Sequence, residues 1–115
     1  FSITINNHLD LIYFMTFYDA IQNKLEVSLT PSFLIIENES HKHSVPVDSE
    51  THFKVIIVSS DFDKKSPVQR HQLVYALLAH EFQSGLHALS LNTYTPQEWA
   101  SVEKTMDSPN CMGGS

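Results

Sequence analysis

The chain has 115 residues, of which 42% are hydrophobic and 17% are charged, and its formal net charge is −6 when the histidines are neutral. This length and composition predict one globular domain that can bury a hydrophobic core without disulfide bonds. The negative charge disfavours nucleic acid as a partner, because nucleic-acid-binding domains usually present a basic face to phosphate. The single cysteine, Cys111, excludes an intramolecular disulfide.

Neither a membrane-spanning segment nor a targeting peptide is expected. The most apolar run, residues 11–17, contains Thr16 and is far shorter than the ~20 residues that a transmembrane helix needs. No lysine or arginine precedes Lys24, so the N-terminal residues resemble neither a secretory signal nor a mitochondrial presequence. Residues 1–15 show no clear periodicity, and we treat them as an unassigned N-terminal extension.

One helix and two strands are predicted next in the chain. The helix begins at the N-cap Thr16, with Asp19 as an acidic third residue, and its apolar spacing continues until Pro31 stops it. Residues 33–37 and 53–58 are rich in β-branched and aromatic side chains, which is typical of strands. These two strands are expected to pair as neighbours.

The segment between the two strands, residues 38–52, is a candidate functional loop. It is polar, rich in turn-forming residues and long for a hairpin connection. Three of the seven histidines of the chain lie within it: His41, His43 and His52.

The second half of the chain predicts a long helix, a third strand and a short C-terminal helix. A capping box at residues 66–69 begins the long helix, and Gly85 ends it. The third strand is predicted over residues 87–94, and a second capping box at residues 95–98 begins the last helix. The buried stripe of the long helix is predicted to contain Val74, Leu77, Leu78 and Phe82.

The element order is therefore αββαβα, an α/β (α+β) arrangement. We place the domain at residues 16–105, and residues 106–115 have the composition of a flexible tail. His87 is the residue that these patterns leave unexplained, because an ordinary strand would begin with Leu, Val or Thr.

Three stretches together resemble one known family. "NESHKHSVPVDSETHFKVIIVSSDF", "PVQRHQLVYALLAHEF" and "GLHALSLNTYTPQEW" are similar to the corresponding parts of BolA-family proteins. The resemblance covers roughly residues 18–102. The tail sequence "SPNCMGG" is similar to the mitochondrial, His-type branch of that family.

The resemblance implies both a fold and a function. The expected fold is similar to the class II KH domain, with helices packed over a three-stranded mixed sheet. Members of the family bind monothiol glutaredoxins, share a [2Fe–2S] cluster with them and act in iron–sulfur maturation, iron regulation or redox sensing, while some bacterial members are DNA-binding regulators. The mitochondrial matrix is the compartment that the resemblance favours, and the cytoplasm remains open.

The resemblance also implies which residues bind the cluster. By motif position, the ligands from this chain are His87 and, in the 38–52 loop, His43. His41 is an alternative, because residues two apart project to the same side of an extended segment. The remaining ligands are expected from the partner, as a glutaredoxin cysteine and glutathione.

The number of donors is consistent with a shared centre. A [2Fe–2S] cluster needs four donors, and two imidazoles can replace two thiolates on one iron, as in Rieske centres. Two histidines provide half of such a set, and no spacing in the sequence predicts a four-ligand zinc site. Gly-rich phosphate loops, His-Glu-x-x-His and Cys-x-x-Cys are absent, so we do not expect an enzyme.

A nucleic-acid-binding regulator is the alternative from another class, and a metal-free adaptor is a third. The Gly-x-x-Gly loop with which KH domains hold RNA is missing, because the only glycines are Gly85, Gly113 and Gly114. A small basic cluster at the start of the long helix could still contact phosphate or an acidic protein face. Its members are Lys64, Lys65, Arg70 and His71.

Two further histidines and the cysteine are interpreted without a ligand role. His52 at the start of the second strand and His71 on the long helix are interpreted as architectural, because an imidazole at either position can hydrogen-bond a neighbouring carbonyl. Cys111 is interpreted as an exposed thiol.

Overall fold

The computed structural model describes residues 16–40 and 50–107. These residues form three strands, four α-helices and one short 3-10 helix, Ser60–Phe62. No helix among them is long and apolar enough to cross a bilayer. In chain order the elements are α1 (Phe17–Leu29), β1 (Phe33–Asn38), β2 (His52–Val58), α2 (Pro67–Leu77), α3 (Ala79–Gln83), β3 (Ala88–Tyr94) and α4 (Pro96–Asp107).

Three helices begin at the capping residues that the sequence predicts. The Thr16 hydroxyl accepts a hydrogen bond from the Asp19 backbone N–H at 3.1 Å. At α2 and α4 the bonds are reciprocal, because the N-cap side chain accepts from the third residue and that residue's side chain accepts from the N-cap backbone. The two reciprocal pairs are Ser66 with Gln69 and Thr95 with Glu98.

The sheet has the order β1-β2-β3, with β2 in the centre. β1 is antiparallel to β2, as expected for neighbours in the chain, and β3 is parallel to β2. In the parallel pair His52 lies opposite Ala88. The starts of β2 and β3 therefore meet at one end of the sheet, which brings His52 next to the residue that precedes β3, His87.

The helices cover one face of the sheet. Phe53, Val55 and Ile57 alternate along β2 towards this face and are buried. They join side chains from β1, β3 and the helices, so the core lies between the sheet and the helical layer. The buried helical residues in this core are Ile21, Leu25, Leu29, Val74 and Leu78.

The last helix packs at the opposite end of the sheet from His52. The Trp99 ring stacks on Phe33 with 5.0 Å between ring centroids and lies 5.1 Å from the ring of Tyr94. The helix continues through Asp107, two residues into the segment that the sequence predicts as tail. α4 is therefore longer than the short C-terminal helix that the sequence predicts.

The prediction of one long helix after residue 66 is wrong. The helix breaks at Leu78, which has φ −104° and ψ 16°, and α3 begins at the next residue. Leu78 itself is fully buried, but beyond the break the buried residue is Glu81. Glu81 forms an ion pair with Lys24 of α1 at 2.8 Å. This polar contact, in addition to apolar packing, holds α3 against α1.

Candidate metal-ligand site

His87 lies immediately before β3 and its side chain is exposed. Its backbone is held firmly, because the N–H groups of His87 and Ala88 both donate to the carbonyl oxygen of Thr51, at 2.8 and 3.1 Å. Thr51 precedes β2, so this bond pattern extends the parallel pairing by one residue. The predicted ligand therefore projects from an ordered backbone.

The orientation of the His87 ring is fixed by a second contact. Its Nδ1 lies 2.7 Å from the carbonyl oxygen of Gly85. Because a carbonyl can only accept, Nδ1 carries the hydrogen, and in the neutral ring Nε2 is left with its lone pair. Histidines that bind metals commonly use this arrangement, in which the other ring nitrogen donates to a carbonyl. Nε2 is thus the atom with which His87 would bind a metal.

Gly85 has a backbone conformation that aims this carbonyl. Its φ is +130°, in a region that residues with a side chain rarely adopt. A Cβ at this position would lie 3.6 Å from the ring of Phe17, an ordinary contact distance. Glycine is therefore required here by the backbone angle and not by lack of space.

A second imidazole lies beside His87. The rings of His52 and His87 are nearly parallel, with 6.1 Å between centroids and 24° between planes. The Nδ1 atom of His52 lies 2.8 Å from the hydroxyl of Thr51. The sequence interpretation gave His52 an architectural role alone, whereas the structure brings it to the predicted ligand.

The stem of the 38–52 loop is closed by Ser40. Its side chain is buried, and its hydroxyl oxygen accepts from the backbone N–H groups of Thr51 at 2.9 Å and His52 at 3.1 Å. These bonds join the end of β1 to the start of β2. The two predicted loop ligands, His43 and the alternative His41, lie outside the described residues.

The loop is also tied to the helical layer. The carboxylate of Glu50 accepts from the backbone N–H of Phe17, the first residue of α1, at 2.9 Å. A carboxylate at a helix N-terminus is favoured by the helix dipole. The start of α1 is therefore joined to the segment that leads into β2.

A shallow, mainly apolar groove of about 480 Å³ runs beside His87. Tyr75 and Phe82 form one wall, with their rings edge to face at 5.3 Å. The Tyr75 hydroxyl donates to the carbonyl oxygen of Leu89 at 3.1 Å, which fixes that wall against β3. His87 and Ala88 complete the lining, so the exposed imidazole borders an apolar surface.

The described residues do not form a complete metal site by themselves. Among residues 16–40 and 50–107, no three His, Cys, Asp or Glu side chains converge so that they could hold a metal ion. Any centre of four ligands that includes His87 must therefore draw ligands from the loop or from another molecule.

Within the basic cluster at the start of α2, Arg70 is not a free surface cation, because it is engaged in the fold. Its guanidinium is nearly buried and forms two bonds with the carboxylate of Glu98, at 2.7 and 3.1 Å. It also donates to the carbonyl of Lys65 at 3.0 Å and lies over the Phe62 ring. Arg70 therefore has a structural role, in which it joins α2 to α4.

The Arg70–Glu98 ion pair shifts the pKa of both residues. The hydrogen bond from Arg70, followed by that from the Thr95 backbone, lowers the pKa of Glu98 from 4.5 to about 2. The same bond raises the pKa of Arg70. Glu98 thus serves both as the capping residue of α4 and as the counter-charge of Arg70.

The other members of the basic cluster are placed differently. Lys64 and Lys65 are exposed, and His71 is half-buried and borders a second shallow depression that reaches β3. Two acidic residues precede the lysines in the sequence: Asp61 in the 3-10 helix and Asp63 directly after it. The contact of these residues with phosphate or an acidic protein face remains a prediction.

Comparison with known proteins identifies the family. The model of the BolA family, described as BolA-like protein, matches residues 25–98. The chain belongs to the BolA family. BolA-like protein 1 of Homo sapiens is 48% identical over 95 residues, which cover 83% of this chain and 69% of that protein.

Bacterial and plant BolA proteins are also similar to this chain. The protein of Vibrio cholerae named DNA-binding transcriptional regulator BolA is 47% identical over 98 residues, which cover 84% of this chain and 92% of that protein. The solved structure of BolA1 from Arabidopsis thaliana has a TM-score of 0.70 at 41% identity and covers 73% of this chain and 96% of that chain. The BolA fold and the predicted α+β class are therefore confirmed.

Within this BolA fold, sequence reasoning missed the surroundings of His87. The sequence predicts Gly85 only as the end of a helix. In the structure, its carbonyl oxygen also accepts a hydrogen bond from Nδ1 of His87. Thr51 was part of a family motif, yet its carbonyl anchors the backbone of His87. In the sequence, Gly85 and Thr51 are an ordinary glycine and threonine close to a histidine. Neither residue type indicates that it contacts His87 in the folded protein.

Proposed function

We propose that this chain is a BolA-type iron–sulfur adaptor that binds a monothiol glutaredoxin and shares a [2Fe–2S] cluster with it. Its role is then in cluster maturation and trafficking or in iron and redox homeostasis, without catalysis of its own. The observation that carries the proposal is the exposed His87 imidazole, whose Nδ1 donates to Gly85 and whose Nε2 is left for a metal. Family membership supports the same function.

The donor set of the chain fits a shared cluster. Four donors are needed, and imidazole nitrogens are accepted on one iron of a [2Fe–2S] centre. No three potential ligands converge among the described residues, so we propose that the remaining ligands come from the 38–52 loop and from a partner that supplies thiolates. His87 is one proposed ligand from this chain, and His43, or His41 in its place, is the other. A glutaredoxin cysteine and glutathione are proposed for the second iron.

The groove beside His87 is suited to a protein contact. Its walls are mainly apolar. Tyr75 in the groove is 42% exposed, and tyrosine is a residue that is enriched in protein interfaces. A glutaredoxin that docks here would cover this surface and exclude water from the imidazole. We place the adaptor in the mitochondrial matrix on the basis of the His-type resemblance, with the cytoplasm as the alternative.

A spectroscopic titration tests the proposal. The chain is mixed with a monothiol glutaredoxin that carries its [2Fe–2S] cluster and glutathione, and the visible absorption and circular dichroism are recorded. We expect the spectrum to change at one equivalent, because an imidazole replaces a ligand, and we expect His87→Ala to lose that change. His80→Ala, at an exposed histidine of α3, serves as the matched control. An unchanged spectrum with wild type, or the same spectrum with His87→Ala, would overturn the proposal.

The second candidate is a nucleic-acid-binding regulator, which the name of the Vibrio cholerae relative favours. The geometry supports it less, because Arg70 is bound to Glu98 and the two lysines directly follow Asp63 in the sequence. Titration of a labelled DNA duplex at rising salt concentrations tests this candidate. Binding that weakens steeply with salt and is lost in Lys64→Ala/Lys65→Ala would support it, and no binding at low salt would exclude it.

A further inference from the structure

We propose that the outer edge of β1 is a self-association surface, at which the β1 strands of two copies of this chain pair antiparallel around Ile35. The sheets of the two copies would then form one continuous sheet. This inference goes beyond the adaptor function, because it requires neither a glutaredoxin nor a cluster and uses the edge of the sheet opposite to β3.

The backbone groups of alternate residues in β1 point away from the sheet. β1 is an edge strand, and its inner side pairs with β2. The N–H of Glu39 donates to the carbonyl oxygen of His52 at 2.7 Å, in the position that continues the β1–β2 register. Because hydrogen-bonded and non-hydrogen-bonded pairs alternate in an antiparallel ladder, Leu34 and Ile36 direct their N–H and C=O groups outward. In the part of the chain that the structure describes, no hydrogen bond reaches these outward groups.

The other edge of the sheet is closed by side chains of α2. The Tyr75 hydroxyl donates to the carbonyl oxygen of Leu89 at 3.1 Å, and the Arg70 guanidinium donates to that of Thr93 at 3.5 Å. Covering an edge strand in this way prevents it from pairing with another chain. The difference between the two edges makes β1 the strand that is available for pairing.

The side chains of β1 favour such pairing. Edge strands are commonly protected by lysine, proline or a bulge. β1 has the sequence Phe-Leu-Ile-Ile-Glu-Asn, which contains neither lysine nor proline. Its one charged residue, Glu37, lies opposite Lys54 of β2, so the carboxylate already has a cation as its cross-strand neighbour. β1 therefore presents a mainly apolar strand at an open edge.

A second copy fits this edge because the strand is self-complementary around Ile35. A two-fold axis at Ile35 places Leu34 opposite Ile36 of the second copy, so that the outward N–H and C=O groups of these residues bond to one another. Ile35 lies opposite Ile56, on the sheet face away from the helices, and there it would meet the same residue of the second copy. Apolar side chains thus meet apolar side chains at every central position.

The neighbouring registers are less favourable. An axis one residue earlier would require outward pairing of Ser32, whose N–H already donates to the Val58 carbonyl at 2.9 Å. An axis one residue later would bring the two Glu37 carboxylates to diagonal positions about 7 to 8 Å apart, where like charges repel. With the axis at Ile35, these carboxylates lie at opposite ends of the pairing.

The short pairing predicts a weak dimer. Stable complexes bury roughly 1,200 Å² or more, which is more than a few residues of one strand edge provide. We therefore expect a dissociation constant on the order of 10⁻⁴ M.

Sedimentation velocity of the full chain, at concentrations from about tenfold below to about tenfold above this constant, tests the surface. We expect wild type to shift from monomer to dimer. Ile35→Lys and Ile35→Glu should each weaken association by about tenfold or more, because like charges then face each other at the axis. An equimolar mixture of the two variants should recover the dimer, which also shows that both are folded. Val68→Lys, at an exposed apolar residue of α2, is the matched control and should associate as wild type.

A second measurement does not depend on variants. Amide hydrogen exchange of wild type should slow at Leu34 and Ile36 as the concentration rises, whereas exchange at Leu91, on the closed edge, should not change. The inference is overturned if wild type remains monomeric, if Ile35→Lys associates as wild type does, or if the mixture does not recover the dimer. Protection of Leu34 and Ile36 that is independent of concentration would also overturn it, because another segment of the same chain would then cover the edge. Glutaredoxin and cluster are absent from both measurements, so their results are independent of the adaptor proposal.

Discussion

The Nδ1 atom of His87 lies 2.7 Å from the carbonyl oxygen of Gly85, so the candidate ligand is oriented by the backbone of a residue two positions earlier. The carbonyl has this direction because Gly85 adopts a φ of +130°. A backbone angle that favours glycine and the tautomer of an imidazole are therefore coupled in one short segment.

Replacement of this glycine should disturb the imidazole as well as the fold. We expect Gly85→Ala to lower the free energy of unfolding by about 1 to 3 kcal/mol, because the native φ is strained for alanine. We also expect the His87 ring to lose its preference for the Nδ1–H tautomer, as observed in long-range ¹H–¹⁵N NMR spectra. Ser84→Ala, at the exposed preceding residue, is the control. A pure Nδ1–H tautomer in Gly85→Ala would show that the carbonyl does not select it.

The loop stem should depend on the hydroxyl of Ser40. We expect Ser40→Ala to cost about 2 kcal/mol of unfolding free energy, because the partly buried N–H groups of Thr51 and His52 both lose the Ser40 hydroxyl as acceptor. Amide hydrogen exchange should become faster at these two residues, with little change at the centre of β2. Ser32→Ala, at an exposed serine before β1, should leave exchange unchanged. Equal protection in both variants would argue against the Ser40 contacts.

The Arg70–Glu98 pair should make the stability sensitive to acid. The pKa of Glu98 in the folded protein, about 2, lies below its ordinary value of 4.5. Its contribution is therefore fully present above about pH 4.5 and is lost as the pH falls towards 2. Because the Glu98 side chain is 47% exposed, we expect solvent screening to limit this contribution to about 1 kcal/mol.

Glu98→Gln isolates this effect, since glutamine keeps the capping geometry of α4 and removes the charge. Urea unfolding of both proteins between pH 7 and pH 3 should give curves that converge as the pH falls. A difference in stability that stays constant across this range would contradict the charge interaction.

The ion pair between α1 and α3 should show the penalty of an unpaired buried charge. The Glu81 side chain is 4% exposed, whereas Lys24 is 35% exposed. We expect Lys24→Met to cost about 2 to 3 kcal/mol, because the Glu81 carboxylate loses its partner. The double variant Lys24→Met/Glu81→Gln should recover part of this loss in urea unfolding. If the double variant is less stable than Lys24→Met, the carboxylate is held by contacts other than Lys24.

The sequence predicts those parts of the fold that depend on residues close together in the chain. The capping boxes of α2 and α4 act over three residues, and their hydrogen bonds occur as expected. The β-branched and aromatic content of two neighbouring segments also predicts β1 and β2 as a pair of strands. His87 was singled out because it does not fit a strand pattern, and its exposed position is consistent with that reading.

The parts that the sequence does not predict depend on contacts between distant segments. Arg70 looked like a surface cation, but its partner Glu98 comes from another helix. Glu81 lies outside the predicted apolar stripe, yet it is buried and pairs with Lys24 of α1. His52 meets His87 only through the parallel ladder, which local patterns do not reveal. In each case the missing information is which element packs against which.

The parallel pairing of β2 and β3 has a consequence for the folding of the chain. Parallel strands require a crossover connection, so β3 can pair with β2 only after the segment that contains α2 and α3 has been synthesised. Contacts of this kind form late, because the entropy of loop closure must be overcome first. The two imidazoles at the strand ends therefore meet only in the completed fold. A partner that contacts both strand ends would distinguish mature protein from folding intermediates and would shift the equilibrium towards the native state.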